Sequence, residues 1–513
     1  MFLASKVYEA EIYVGETVMY GITLMSRPSD WEIIQQKEGK GSVFLNGKFS
    51  VHPAALEVGV ERVIPLVRVM SEDDNMAVIP WTNADHFTYN ENFQGEFDVT
   101  LDIPAGGPYR IDTGLETKST TPDLTWVYRG DCVLHIGVGN LFIIAGQSNS
   151  AGYSRDFCLD PPSMDVHLYR NRSQWDIASH PMNENTYAET CANEEMGVSG
   201  VSPYLAFGKK YAQISNMPVG LVQTSLGGSP MARWNPENGD LYQNMIDKIH
   251  ETGDRCAGIL WYQGCSDTDP EPAKKYFEHF YSFVMAVRKE LDYQVPFFTM
   301  QLNRQINGRN DDCWGMVRDA QARAAREIPG VSVLTTSNLS LCDDIHNTAH
   351  ANVALGEKLA KQCAFVLNGL EEYQPPEVIK VERVNEDEKE KFQLEGNRIW
   401  LKLTCVHVKN CFLLYSTAGK DSGFTLTDSK GNVEILHIRG NRENKNHLYL
   451  ELAREVEDEA ELSFAWQADP IKHPPVDEVT FLPLLSFYKS HINLTINKEF
   501  RLTINKEFRL DVK

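Results

Sequence analysis

Between about residues 141 and 367 the sequence alternates strand-like with helix-like segments, and that alternation leaves few folds open. Short apolar runs at Leu141–Ala145, Val219–Thr224, Gly258–Tyr262, Pro296–Leu302 and Val331–Thr335 are interleaved with longer stretches of helical period at Pro203–Ile214, Leu241–Glu251, Pro272–Leu291, Met316–Glu327 and Ala349–Leu367. Strands that alternate with helices build a parallel sheet covered on both faces, so this region predicts a doubly wound α/β domain. Ligands of such a sheet sit at the carboxyl ends of its strands. In the last helix Ala351, Leu355, Leu359, Cys363 and Leu367 recur every four residues as one apolar stripe, and Gly369 marks its stop.

The flanks read differently. Up to about Val138 short alternating segments (Lys6–Val14, Ser42–Leu45, Arg62–Val69, Glu96–Ile103, Leu124–Tyr128) are punctuated by turn residues, with Gly106-Gly107-Pro108 as a turn, which predicts a β-sandwich or jelly roll. Pro375-Pro376 marks a linker, and segments such as Ile399–Leu403 and Cys411–Tyr415 announce a smaller β module beyond it. The expected division is therefore 1–135, 136–370 and 376–513. The acidic stretch Asn385–Glu390 reads as a solvated loop, and the perfect repeat of LTINKEFR at Leu494–Arg501 and Leu502–Arg509 as a redundant tail.

Charge removes several functions. Lys and Arg number 49 against 71 Asp and Glu, a formal charge of -22 that repels a phosphate backbone, so nucleic acid is not an expected partner. Membrane spanning is not expected either, because the apolar runs fall well short of the roughly 18 to 20 residues needed. The stretch Met1–Tyr13 lacks a basic start followed by an apolar core, and none of the 10 cysteines forms a CxxC pair. Both features point to free thiols and a cytoplasmic location. Oligomeric state leaves no mark on the sequence.

The candidate chemistry lies at the strand ends of the central region. Gly146-Gln147-Ser148-Asn149 follows its first strand, Gly227-Gly228-Ser229 its second and Gln263-Gly264-Cys265-Ser266-Asp267 its third, while Asp343-Asp344-Ile345-His346 precedes the last helix. A serine hydroxyl becomes a nucleophile when an imidazole accepts its proton and an acid orients that imidazole. Ser148 and His346 fit the first two roles. The three-residue spacing lets Asp343 fold back onto the ring, with Asp344 as the alternative. A tetrahedral oxyanion needs fixed donors, for which the amides of Ser148 and of Gly227 or Gly228 are candidates, with a carboxamide from Gln263 or Asn149. His346, His350 and Asp344 lack a further ligand at suitable spacing, so no metal is expected, and no cofactor is required. Cys265 reads as packing rather than a second nucleophile.

These motifs carry a resemblance. FIIAGQSNSAG (Phe142–Gly152), SLGGSPMARW (Ser225–Trp234), WYQGCSD (Trp261–Asp267) and DDIHNTAHANVALGEKLA (Asp343–Ala360) resemble the SGNH hydrolases, and among them carbohydrate O-acetylesterases of the sialate O-acetylesterase and acetylxylan esterase type. GGPY (Gly106–Tyr109) ahead of the catalytic part is similar to the sialate O-acetylesterase arrangement. The resemblance implies a nucleophile at Ser148, a base at His346 and an oxyanion hole from Ser148, the Gly227-Gly228 turn and the Gln263 region. It departs from the family at Cys265, where relatives often carry Glu, and at Ser150, where many have Met. Gln147, Arg233 and Trp234 are the candidate substrate contacts. Residues 153–200 are expected to form part of a lid, with Arg170, Arg172 or Arg233 available to a sugar carboxylate. The implied activity is removal of O-acetyl groups from a sugar, sialate first. Xylan, mannan or another plant glycan is the alternative substrate; a carbohydrate-binding protein without catalysis, or an interaction protein built on the β modules, is the alternative function.

Overall fold

The computed structural model describes residues 20–494 except 58, 121–122, 185–190, 196–198, 395–397 and 471–472, so the expected strand Lys6–Val14 and the duplicated tail lie outside the described residues. Two compact units make up the chain: one of residues 1–30, 42–103 and 108–136, the other of residues 31–41, 104–107 and 137–513.

The second unit is organised by one sheet. Its strands are β1 (Asp123–Gly146, entering this unit at residue 137), β2 (Val166–Tyr169), β3 (Trp175–Ile177), β4 (Val219–Gln223), β5 (Gly258–Tyr262), β6 (Phe297–Met300) and β7 (Val331–Leu334), in the order β3-β2-β4-β1-β5-β6-β7. All neighbours are parallel except the β3–β2 pair at one edge. Its helices are α1 (Ser148–Ala151), α2 (Tyr204–Ser215), α3 (Asp240–Glu251), α4 (Pro270–Leu291), α5 (Asp311–Glu327) and α6 (Ala349–Asn368). Alternate residues of β1 feed two separate cores. Leu141, Ile143 and Ala145 pack with α3, α4 and α5, whereas Phe142 and Ile144 pack with α2 and α6. A central strand buried on both sides must be apolar at every position, which explains its unbroken LFIIA run.

The chain leaves β1 toward β2 and β4 and later returns to β5 on the other side, so the carboxyl end of β1 is the topological switch point, where such sheets bind ligands. Helix α6 ends as expected, with Gly369 left-handed at φ 64°, and it begins at Thr348, whose side chain accepts from the Ala351 amide.

Several expectations change. Helix α5 starts at Asp311, not Met316; Asp311 and Asp312 occupy its first turn, where acids suit the helix dipole, ahead of a Cys-Trp-Gly run that hides the period. Residues 153–200 supply β2 and β3 as well as loops, because His167 and Asp176 interrupt the apolar run by which the other strands are legible. The acidic stretch is a short exposed helix, Glu386–Lys391, with the Asn385 side chain accepting from the Glu388 amide. Gly106 and Gly107 open the strand Gly106–Thr120 rather than forming a turn, the bend falling at Ala105.

The same unit carries two further antiparallel sheets of four strands, from Glu377–Arg383, Ile399–Val406, His447–Leu452 and Ile435–Gly440, and from Gly431–Val433, Phe424–Asp428, Glu459–Phe464 and Phe487–Asn493. Leu401, Leu403, Leu448 and Leu450 of one meet Leu426, Leu462, Phe464 and Ile492 of the other in a single apolar core. Arg318 of α5 fastens this module to the α/β sheet. Its fully buried guanidinium donates to the carbonyls of Leu302 (2.8 Å) and Asn303 (2.7 Å) beyond β6, and of Ala465, Trp466 and Gln467 (3.1, 3.2 and 2.5 Å) in the module. Burial pushes it down to about 10, leaving it charged at neutral pH.

The first unit is all β. The strands Gly21–Ser26, Lys40–Ser50, Gln94–Pro104 and His86–Tyr89 form one antiparallel sheet, while Val60–Ser71 pairs with Ala77–Asn83 and Gly106–Thr120. Asp112 is nearly buried there; burial opposes its charge, but hydrogen bonds from Arg68, Arg129 and Arg110 hold its carboxyl below the usual range. All ten cysteines are free thiols.

Removing Arg318 orphans five buried carbonyls, at about 1 to 3 kcal/mol for each that water does not reach. Arg318→Ala is therefore expected to lower the thermal midpoint on the order of 5 °C or more, measured by calorimetry, with Arg318→Lys losing less. An unchanged midpoint would show that the clasp contributes nothing.

Candidate active site

The carboxyl end of β1 is held from both sides. The Gly146 carbonyl accepts from the Leu226 amide (3.0 Å) beyond β4, and the Gln147 amide donates to the Tyr262 carbonyl (3.0 Å) at the end of β5. Gly146 takes φ 126°, and a Cβ there would stand 2.3 Å from the Tyr262 carbonyl oxygen, so only glycine lets the chain turn at this point. Ser148 follows as the first residue of the one-turn helix α1, 7% exposed.

Asn149 ties the third loop to this turn. Its Nδ2 donates to the Ile345 carbonyl (3.3 Å) and its Oδ1 accepts from the Asn347 amide (3.0 Å), which fixes His346, the residue between them, beside the Ser148 turn. Asn347 is itself locked, its side chain paired with Asn352 (2.9 Å) and Asn303 (2.6 Å). His346 Nδ1 meets Asp343 Oδ2 at 2.6 Å, and the other Asp343 oxygen accepts the amides of Ile345 and His346. Burial works against the Asp343 charge, yet these hydrogen bonds outweigh it and hold the carboxyl below the usual range. Asp344 instead offers its carbonyl to the Ile306 amide (2.8 Å). The ring of Tyr153 lies tilted over that of His346, centroids 5.0 Å apart.

Six candidate side chains are committed within the protein. Gln147 spends its side chain within the protein: Oε1 accepts the amides of Gly264 (2.9 Å) and Ser266 (3.3 Å) and Nε2 reaches Ser266 Oγ (3.5 Å). Gln263 commits its amide hydrogens to the Ser229 carbonyl (3.1 Å) and Asp267 (2.5 Å), so that carboxamide does not face an oxyanion. Trp234 is fully buried against Trp261 and donates to Ser229 Oγ (3.3 Å), a core residue rather than a sugar wall. Arg233 pairs with Asp240 and donates to the Ala192 carbonyl (3.1 Å). Arg170 and Arg172 both pair with Asp176, which leaves neither open to a substrate carboxylate.

Glu195 is the residue that sequence reading missed. Its Oε2 accepts the Gly227 amide (2.9 Å) and its Oε1 accepts the Tyr153 hydroxyl (2.5 Å), so a carboxylate occupies one of the expected oxyanion donors and holds the tyrosine whose ring faces the histidine. Burial and this hydrogen bond push the Tyr153 phenol well above its ordinary range. The segment that delivers Glu195 is anchored by Arg233 at Ala192 and by Lys248 at Asn193 (3.3 Å). Lys248 is 4% exposed, also donates to Asn171 Oδ1 (3.1 Å) and the Gln223 carbonyl (2.8 Å), and burial pushes it down to about 8. Only the acidic pair Glu194-Glu195 inside a non-periodic insertion could have signalled it.

Where relatives often carry Glu, Cys265 packs against the core beneath the sheet, and burial pushes its thiol up to about 12. Among the described residues no group of three or more His, Cys, Asp or Glu could hold a metal ion. No helix among them is long and apolar enough to cross a membrane.

Comparison with known proteins gives a family match and a shared fold. Residues 138–365 match the family described as carbohydrate esterase, sialic acid-specific acetylesterase. A carbohydrate acetylesterase from Xanthomonas citri shares the fold at TM-score 0.57 and 17% identity, over 91% of this chain and 99% of that one. A protein from Arabidopsis thaliana is 24% identical over 45% of this chain and 99% of its own, with TM-score 0.40; the structure of NanS is 13% identical over 45% and 98%, with TM-score 0.38. No curated protein matches the chain.

A thiol held that high stays protonated at neutral pH. Cys265→Ser is expected to keep activity within about threefold, and peptide mass spectrometry after iodoacetamide at pH 8 is expected to find Cys265 unlabelled in the folded protein. Rapid labelling that abolishes activity would restore it as a candidate nucleophile.

Proposed function

We propose, from the match of residues 138–365 to the carbohydrate esterase, sialic acid-specific acetylesterase family, that this chain is a serine esterase that removes O-acetyl groups from a carbohydrate through an acetyl-Ser148 intermediate. The observation that carries the proposal is the loop 343–347. Asp343 fixes one ring nitrogen of His346 while Asn149 pins the same loop to the Ser148 turn.

The steps follow from these positions. With Nδ1–H donated to Asp343, His346 has Nε2 left to take the Ser148 proton as Oγ attacks the acetyl carbonyl. The oxyanion meets the Ser148 amide, at the start of a helix where first-turn amides have no internal acceptor, and the second Nδ2 hydrogen of Asn149. The Gly228 amide stands in the turn beside them, whereas the Gly227 amide is taken by Glu195. His346 then protonates the departing sugar oxygen, and a water activated by the same ring hydrolyses the acetyl-enzyme. Such a doubly wound esterase domain with Ser148 and His346 as its pair is the SGNH arrangement that the motifs resemble.

For the sugar, the internal pairing of Arg170, Arg172 and Arg233 and the carboxylate of Glu195 on the Gly227 amide support a neutral glycan ester, as on xylan or mannan. One observation favours sialate. Arg155 is exposed and lies over the Tyr153 ring, 5.5 Å from its centroid, where a sialate carboxylate can meet it.

Acetate release separates these readings. Wild type is expected to deacetylate p-nitrophenyl acetate and acetylated xylan faster than 9-O-acetylated sialic acid, with Ser148→Ala slower by roughly a thousandfold or more on each. Full activity in Ser148→Ala would end the serine mechanism, and the reverse substrate order would establish sialate.

The pH dependence has a defined sign. Because the folded Asp343 carboxyl lies below the usual range, it stays charged while the imidazole protonates, so the acid limb reports the base alone. On going from about pH 8 to about pH 5 the rate is expected to fall, because an imidazole that carries a proton cannot accept the one from Ser148. The stability that Asp343 contributes, present above its unfolded pKa, is lost only as pH falls through the depressed folded value. A rate flat across that window would rule out a histidine base.

A further inference from the structure

The C-terminal β module contains a cleft of about 740 Å³ that the deacetylation reading does not use. Its floor is the buried ring of Phe424, and its rim is polar, with Lys420, Asp421, Asn432, Glu434 and Asp469 along it. At its mouth stands Tyr415, 79% exposed, its ring stacked on His473 with centroids 4.2 Å apart and planes 24° from parallel. An exposed aromatic ring is ordinarily mobile, but here one face is braced by an imidazole and the other is open.

We propose that this cleft is a binding site for a neutral oligosaccharide chain, with Tyr415 as its stacking platform; the inference rests on the carbohydrate esterase reading. Three features select the ligand. The size lies within the range of about 300 to 1,000 Å³ typical of small-molecule sites. An apolar floor and an open aromatic face suit the C–H faces of a sugar ring, while carboxylate and carboxamide rim groups suit its hydroxyls, which both donate and accept. The rim carries three carboxylates, of which Asp469 is paired with Arg304, so Asp421 and Glu434 stand against the single ammonium of Lys420 and, on a chain of net charge -22, the balance disfavours an anionic glycan.

The cleft is also joined to the catalytic rim. Asp469, in its wall, pairs with Arg304 (3.0 Å), and the neighbouring Ala468 carbonyl accepts the Gln305 amide (2.7 Å). The next residue, Ile306, donates its amide to the Asp344 carbonyl (2.8 Å), in the loop of Asp343 and His346. A glycan held in the cleft thus lies on the same compact unit as the catalytic loop, which raises the local concentration of further ester groups on the same polymer.

The test uses the full chain and Tyr415→Ala, an exposed substitution that leaves the module's core intact. In affinity electrophoresis, glucomannan or arabinoxylan is expected to retard wild type, with Tyr415→Ala retarded at least tenfold less and polysialic acid retarding neither. Acetate release from p-nitrophenyl acetate is expected to be equal in both proteins, whereas release from acetylated glucomannan falls in the variant through KM. Retardation unchanged by the substitution, no retardation of wild type by either neutral polymer, or retardation by polysialic acid would each overturn the proposal. Tyr415-dependent retardation without any esterase activity would keep the cleft and remove the deacetylation reading instead.

Discussion

The site depends on the hydrogen-bond ladder of one strand running past the end of the sheet. β1 lies between two parallel neighbours, and its last groups, the Gly146 carbonyl and the Gln147 amide, are claimed by the loops that leave β4 and β5. Buried backbone groups need partners, so the three strand ends cannot move independently. Gln147 extends the arrangement with its side chain, bridging two amides of the β5 loop. Ser148 therefore sits on a turn whose geometry is set by sheet pairing rather than by loop packing, the kind of support a catalytic group needs.

Polar residues around that turn act largely on one another. Gln263 holds Ser229 and Asp267, Arg233 and Lys248 hold the segment leading to Glu195, and Glu195 holds Tyr153 and the Gly227 amide. Burial makes each unpaired polar group costly, which is why residues that look like substrate contacts are spent on positioning.

Arg318 gives the C-terminal module its relation to the sheet. A guanidinium satisfied entirely by five carbonyls, from the end of β6 and from residues 465–467, makes the two parts one compact unit. The segment it clasps is continuous with the wall of the module's cleft, and the loop on its other side reaches Asp344. Binding in the module and chemistry at the sheet therefore share a rigid connection.

By itself the sequence determined the α/β core and the order of its motifs. The five long strands and the last helix were legible because a strand buried on both faces must be wholly apolar and a helix on a sheet must repeat near 3.6 residues, both local patterns. Asp343 and His346 were legible as a pair because three residues of spacing already bring them within reach. The tertiary structure decided the rest. β2 and β3 are interrupted by His167 and Asp176, and their strand character comes from pairing with each other and, for β2, with β4. Whether Trp234 faces sugar or core, whether the amide of Gln263 is free, and that Glu195 lies at the Gly227 amide depend on contacts between residues tens of positions apart. Sequence periodicity carries which face of an element is apolar; it does not carry which distant polar group satisfies which, and that pairing determines what remains open to a substrate.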